Sequence, residues 1–174
     1  MSGRVLITGG SGLIGQHLSG LLVAAGFETI LTTHRKREDQ PENFVELDLL
    51  DGPSVARTIT ELRPTHLLHL AWHGGSTDRW SSMANIDWGL STMRLVQMFA
   101  EAGGKRVVCV GSCAEYDWSF ERLKEETPLR PNTLYGKAKA STGTHLIEYS
   151  HLVGLSMAWA RVFFCYGPHE PRGR

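Results

Sequence analysis

The sequence lacks every feature that would remove it from the ordinary globular class. Cysteine is scarce: there are three residues, an odd number, and Cys109 and Cys165 lie inside apolar runs. A disulfide framework is not indicated, and a reducing cytoplasm is the expected compartment. Charge of one sign is not in excess, since 18 Lys and Arg balance 18 Asp and Glu. Without a basic stripe, duplex nucleic acid is not an expected partner. Nothing approaches the roughly 18 consecutive apolar residues of a membrane span, and Val5-Leu6-Ile7 is too short for a signal-peptide core. Internal repeats and low-complexity tracts are absent. The 8 histidines show no zinc-type spacing. Their closest group is His66, His69 and His73; residues three apart on a strand face opposite sides, and His73 falls in the following loop, so no metal site is expected.

What is present is apolar surface and glycine. The 174 residues are 41% hydrophobic and include 19 glycines. That is enough to offset ordering entropy, and at roughly 150 residues per domain it implies about one domain. Strands are expected at 4–8, 27–33, 65–71, 105–112 and 155–164, with a third, within 41–48, around Phe44-Val45-Glu46-Leu47, and helices at 13–25, 54–62, 83–102 and 134–152. Gly26, Pro64 and Gly103-Gly104 supply the helix stops. Nearly continuous apolar strands alternating with helices mean a parallel sheet covered on both faces. The stretch 168–174 is turn-rich and follows directly on a strand, so we expect it to open a further portion of a larger protein.

Thr8-Gly9-Gly10-Ser11-Gly12-Leu13-Ile14-Gly15 follows the first strand and opens the first helix. Glycines there permit a tight turn and let backbone N–H groups approach a pyrophosphate, while the helix N-terminus adds partial positive charge. A glycine motif alone is weak evidence, but an N-terminal βαβ unit is its confirming context, and dinucleotide binding is the expectation. Twenty residues past Gly15 stands Arg35, in Thr32-Thr33-His34-Arg35-Lys36-Arg37. An acid here would hold a free ribose 2′-hydroxyl; a cation suits a 2′-phosphate, so NADP(H) is favoured over NAD, with a solvated basic loop as the alternative. Asp48 and Leu49 either reach the adenine edge or form the N-terminal approach to the helix after Pro53.

Tyr135 and Lys139 are four apart near a helix start and share one face. Tyrosine, with a pKa near about 10, is a poor acid–base catalyst at neutrality, and a nearby ammonium lowers that value. Ser112 ends the fifth strand, on the edge where open α/β sheets place their ligands. The pair Tyr135 and Lys139 occurs often by chance; with the glycine loop and Ser112 in order it becomes specific.

With these residues in place the chain resembles the extended short-chain dehydrogenase/reductases, of the NAD(P)-dependent sugar epimerase/dehydratase kind. The resemblance rests on the glycine loop, Asp48-Leu49, His69-Leu70-Ala71, Asn85, Ser112 with Tyr116, Tyr135 with Lys139, and Arg161 with Tyr166-Gly167-Pro168. It implies a Rossmann domain over residues 1–167 with strand order 3-2-1-4-5-6, and a smaller C-terminal substrate domain largely missing from this sequence. It also implies Tyr135 as acid/base, Lys139 on the nicotinamide ribose, Ser112 on the reacting oxygen and Asn85 in support. Gly9, Ser11, Gly12, Leu13, Ile14, His34, Arg35, Asp48, Leu49, Leu70, Ala71, Trp72, Tyr135 and Lys139 would then contact the cofactor. Trp72 could equally be loop packing.

Three departures bear on the reaction. Related sugar dehydratases carry acids one or two positions after the catalytic Ser/Thr; here those positions are Cys113 and Ala114, and Glu115, one place later, should point the other way. Elimination needs a general acid and base, so dehydration is disfavoured. Phe164 replaces a usual asparagine, and Arg35 departs from NAD-retaining epimerases. The expectation is NADPH-dependent reduction of a keto group on a nucleotide-linked, 4-keto-6-deoxy sugar; the rivals are an NAD-dependent epimerase and a non-catalytic dinucleotide sensor. Helix 83–102 carries two apolar stripes, Ile86/Leu90/Met93/Ala100 and Trp88/Leu95/Val96/Phe99. A surface helix needs one, so a homodimer through helices 83–102 and 134–152 is expected, with burial under missing chain as the alternative.

Overall fold

The computed structural model describes residues 3–36, 38–74 and 78–168. Six strands form one sheet: β1 (Arg4–Thr8), β2 (Glu28–Thr33), β3 (Phe44–Glu46), β4 (His66–His69), β5 (Arg106–Ser112) and β6 (Ser156–Val162). Their pairings are all parallel, in the order β3-β2-β1-β4-β5-β6. The connecting helices are α1 (Leu13–Ala24), α2 (Gly52–Leu62), α3 (Ala84–Glu101) and α4 (Leu134–Val153), with a 3₁₀ turn at Cys113–Glu115. This is the expected Rossmann arrangement, with strand order 3-2-1-4-5-6.

Alternation along the strands divides the sheet into two faces. Leu6, Leu67, Val107 and Cys109 point into the larger core, which they share with Val55 and Ile59 of α2, Leu95, Val96 and Phe99 of α3, and Leu146 of α4. Val5, Ile7 and Leu31 point the other way, where Leu22 of α1 and Phe27 pack against them. The cover is unequal: β6 has no fully buried residue.

Element types agree with the sequence reading, while boundaries differ where tertiary pairing decides them. The third strand is only Phe44–Glu46, because the Phe44 N–H turns back onto the Pro41 carbonyl at 3.0 Å. α2 begins at Gly52, since Pro53 is acceptable in a first turn. The stripe Ile86/Leu90/Met93/Ala100 on α3 is only half exposed: Ile86 and Leu90 face outward, but Met93 and Ala100 pack against the core. α3 lies between α2 and α4, so its buried arc is wider than a single-sided surface helix would need.

One buried polar chain ties β1, β4 and α3 together. Thr8 Oγ1 meets His69 Nδ1 at 2.6 Å, His69 Nε2 meets Thr92 Oγ1 at 2.9 Å, and the Thr92 hydroxyl donates to the Trp88 carbonyl. With that hydroxyl committed, Nε2–H donates to Thr92 and Nδ1 accepts from Thr8. The neutral ring satisfies every partner; burial, helped by the Lys139 charge, pushes the imidazole from 6.5 down to about 3. The unfolded chain therefore binds more protons between those values. The stabilisation is present above about pH 6.5 and is lost as pH falls towards 3, at up to about 1.4 kcal/mol per pH unit. Urea unfolding across pH 4–6.5 should show this slope for the wild type and a shallower one for His69→Gln, whose amide can bridge the same threonines. Parallel slopes would contradict it.

Candidate active site

The carboxyl ends of β1 and β4 diverge into helices on opposite sides and leave a crevice between them, as open α/β sheets do at their switch point. Gly9 takes a left-handed φ of +70°, and a Cβ there would lie 2.9 Å from the Ala71 nitrogen. A Cβ on Gly15 would lie 2.6 Å from the Gly9 carbonyl oxygen. These glycines are thus required by backbone packing, and they leave the first-turn N–H groups of α1 facing open space. The resulting cleft, about 610 Å³, is lined by Gly9, Ser11, Gly12, Leu13, Ile14, His34, Asp48, Leu49, Leu70, Ala71, Trp72, Tyr135 and Lys139, all expected from sequence. A long groove with a glycine-built helix N-terminus at one end fits a dinucleotide.

Arg35 is the exception. It is exposed and is not part of the lining, whereas His34 is. Thr33 Oγ1 donates to the Arg35 carbonyl at 3.2 Å and the Lys36 N–H donates to the Glu46 carboxylate at 2.9 Å. The second bond ties the loop to β3. Arg37 lies outside the described residues.

At the other end of the cleft, α4 starts hard against the 3₁₀ turn that follows β5. Thr133 caps it by accepting from the Gly136 N–H at 3.1 Å, and a Cβ on Gly136 would lie 2.5 Å from the Ala114 carbonyl oxygen. That contact brings Tyr135 to Ser112, whose hydroxyl hydrogen-bonds with the phenol. The Tyr135 ring stands between two indoles, edge-on to Trp80 at 5.4 Å and to Trp72 at 6.4 Å. Burial raises the phenol's pKa, while Ser112 and the Arg79 charge act to lower it. Lys139 Nζ donates to the Val110 carbonyl at 2.8 Å and sits 3.8 Å from the Trp72 ring centre. Its own pKa falls to about 7 through burial, with Glu115 opposing.

Asn85 reaches none of these three side chains. Its Oδ1 accepts from Trp72 Nε1 at 2.9 Å, and its Nδ2 donates to the Arg79 and Ser82 carbonyls at 2.8 and 2.9 Å. Glu115 does turn away from the cleft. It is wholly buried and accepts from the Ser112 N–H at 2.7 Å, from Trp159 Nε1 at 3.1 Å and from Arg161 Nε at 2.7 Å. Sequence reasoning did not assign Arg79, Trp88, Val110 or Thr33 to the cleft, although all four line it. Thr33 and Val110 lie at the carboxyl ends of their strands, which is the signal that could have found them. Among the described residues no three His, Cys, Asp or Glu side chains gather where a metal ion could be held, and no helix is long and apolar enough to cross a membrane.

Fold and cleft together define a Rossmann-type enzyme domain. The chain belongs to the NAD dependent epimerase/dehydratase family, whose model matches residues 5–174. It is 29% identical over 185 residues to UDP-glucuronate 4-epimerase 6 of Arabidopsis thaliana, covering 94% of this chain and 40% of that protein. To UDP-arabinose 4-epimerase 1 of the same plant it is 26% identical, covering 98% and 45%. The NAD complex of UDP-glucose 4-epimerase from Thermus thermophilus superposes with a TM-score of 0.80 at 29% identity, over 91% of this chain and 54% of that one. The chain thus spans about half the length of the relatives it matches.

The Glu115–Arg161 pair is a stability test for this end of the sheet. Removing one partner of a fully buried ion pair costs about 3–5 kcal/mol, and the partial exposure of Arg161 brings the expected cost here to the low end, about 3 kcal/mol or somewhat less. Glu115→Ala should lose that much in denaturant unfolding at unchanged m, and Glu115→Gln less, since its amide oxygen still accepts from Ser112 and Trp159. A change under about 0.5 kcal/mol for Glu115→Ala would contradict the pairing.

Proposed function

We propose that the protein carrying this chain inverts a hydroxyl-bearing carbon of a nucleotide-linked sugar by way of a transient keto group, in the manner of an NAD-dependent epimerase, the hydride taken from that carbon being returned to it. The carrying observation is that Tyr135, with Ser112 beside it, and Lys139 line the same cleft as the glycine loop. When bound, a nicotinamide dinucleotide supplies the hydride acceptor. Tyr135 holds or receives the proton of the sugar oxygen, and Ser112, bonded to the phenol, steadies that oxygen. Lys139 offers the nicotinamide ribose the N–H groups that Val110 does not use. The first-turn N–H groups of α1 take the pyrophosphate, and Asp48 and Leu49 flank the adenine. Dehydration is disfavoured, since the acid of the turn, Glu115, is committed to Arg161. An intact Ser112, Tyr135 and Lys139 set also has no use in a mere sensor.

NAD is the cofactor that the similar proteins and the position of Arg35 support together. NADPH-dependent reduction of a 4-keto-6-deoxy sugar is the second reading, favoured by the cations His34-Arg35-Lys36 and the lack of a carboxylate on that loop until Glu38. The exposed Ile86 and Leu90 on α3 support a homodimer through α3 and α4. The three free cysteines support a reducing cytoplasm. Residues 1–167 form the cofactor domain in this reading, and 168–174 open the portion that completes the substrate site.

In the full-length enzyme Tyr135→Phe should lower kcat by about 100- to 10,000-fold with cofactor affinity little changed, as measured by steady-state turnover and calorimetry. More than about a tenth of wild-type activity would remove Tyr135 from the proton-transfer role. Calorimetric titration should show NAD(H) bound at least as tightly as NADP(H), with Arg35→Asp shifting either by less than about threefold. An NADPH preference of about tenfold or more that Arg35→Asp abolishes would put the reductase first.

A further inference from the structure

Lys139 is a cation in a nearly closed site, and its surroundings hold fewer compensating groups than a buried ammonium needs. It has three N–H bonds, and its hydrogen bond to protein goes to the Val110 carbonyl. The titratable groups that act on it are His69 of β4, Cys109 of β5 and Glu115 of the 3₁₀ turn, while Tyr135 shares its helix face. His69 is neutral, Cys109 is held protonated by burial, and the Glu115 carboxylate is bonded to Arg161 of β6. The other close group is the face of Trp72, with its ring centre 3.8 Å from Nζ; Trp159 lies farther off, at 5.9 Å.

Trp72 is held from outside the site. Its Nε1–H is fixed by Asn85, whose amide is in turn anchored to the backbone at Arg79 and Ser82. A Cβ on Gly89 would lie 3.9 Å from the far edge of the indole, so α3 also backs the ring closely. The same indole stands edge-on to Tyr135. We infer that Trp72 is a positioning residue for Lys139 and Tyr135, its face holding the Lys139 ammonium and its edge bracing the Tyr135 ring, and that Asn85 acts through it. An aromatic face attracts a cation most strongly where water is excluded. The inference rests on the proposed roles of Tyr135 and Lys139, and it gives Asn85 a function that needs no contact with substrate or cofactor.

The test has two arms on the full-length protein. In the first, kcat is measured against pH for wild type, Trp72→Phe and Trp72→Leu. Losing the face should favour neutral Lys139, so the alkaline limb for Trp72→Leu moves down by about one pH unit, which corresponds to about tenfold in the Lys139 proton equilibrium. Trp72→Phe keeps a face but loses the bond to Asn85, and should shift the limb the same way by less than Trp72→Leu does. Superposable profiles for wild type and Trp72→Leu would overturn the inference. The second arm requires neither turnover nor a folded leucine variant. In the wild-type NMR spectrum the Lys139 ε-CH₂ protons, assigned by their loss in Lys139→Arg, should lie upfield of the other lysines through the indole ring current. Coincidence with the other lysines would overturn the inference whatever the enzyme catalyses, whereas an upfield shift in a protein without epimerase or reductase activity would leave Trp72 holding Lys139 and remove only the proposed reaction.

Discussion

The approach of the Gly9 backbone to Leu70 and Ala71 is the constraint on which the rest depends. It forces β1 to end at Thr8 with a left-handed turn, and no side chain larger than hydrogen fits there. Once that turn is made, α1 starts with its free N–H groups over the sheet edge, while the chain leaving β4 goes the opposite way towards α3. The cleft is the gap between the two departures. The Thr8–His69–Thr92 chain keeps it from shifting, because it bonds the last residue of β1 to the last of β4 and both to the helix behind. A neutral histidine suits this place. It presents one donor and one acceptor, and near the Lys139 cation a second charge of the same sign would be unfavourable.

A comparable arrangement governs the far end of the cleft. Glycine at 136 admits the Ala114 carbonyl, and glycines at 111 and 143 admit the Trp159 indole. These contacts let α4 lie close enough for Tyr135 to reach Ser112 and for Lys139 to pass under the sheet edge to Val110. The chain places two cations here, Lys139 and Arg161, with one buried carboxylate between them. Glu115 is bonded to Arg161 directly and attracts Lys139 from a distance. The indoles of Trp72 and Trp159 supply the remaining compensation as polarisable faces, with no further charge buried.

Much of this was legible in the sequence for a physical reason. Strand and helix periods, helix stops and the glycine loop are local signals, and parallel topology follows from continuous apolar strands. Local signals also located Tyr135, Lys139 and Ser112, since a helix start and a strand end fix where those side chains stand. What could not be read was direction across space. The spacing of Arg35 from Gly15 suits a phosphate site, but spacing does not reveal that Arg35 is exposed and outside the lining of the cleft while its neighbour His34 is within it. Lys139 shares a face with Tyr135 as its spacing requires, but spacing does not reveal that its ammonium donates to a strand carbonyl 29 residues earlier. Asn85 sits where a supporting residue was expected, and only tertiary contacts reveal that what it supports is an indole.

The central claim is that a nicotinamide dinucleotide lies along this cleft from Asp48 to Lys139. A crystal structure of the full-length protein with NAD tests it most directly. The expected result has the adenine beside Asp48 and Leu49, the pyrophosphate on the backbone of Gly9 to Ile14, and the nicotinamide ribose within hydrogen-bonding reach of Tyr135 and Lys139. A cofactor bound elsewhere, or one that reaches the glycine loop but leaves the nicotinamide remote from Tyr135, would contradict it.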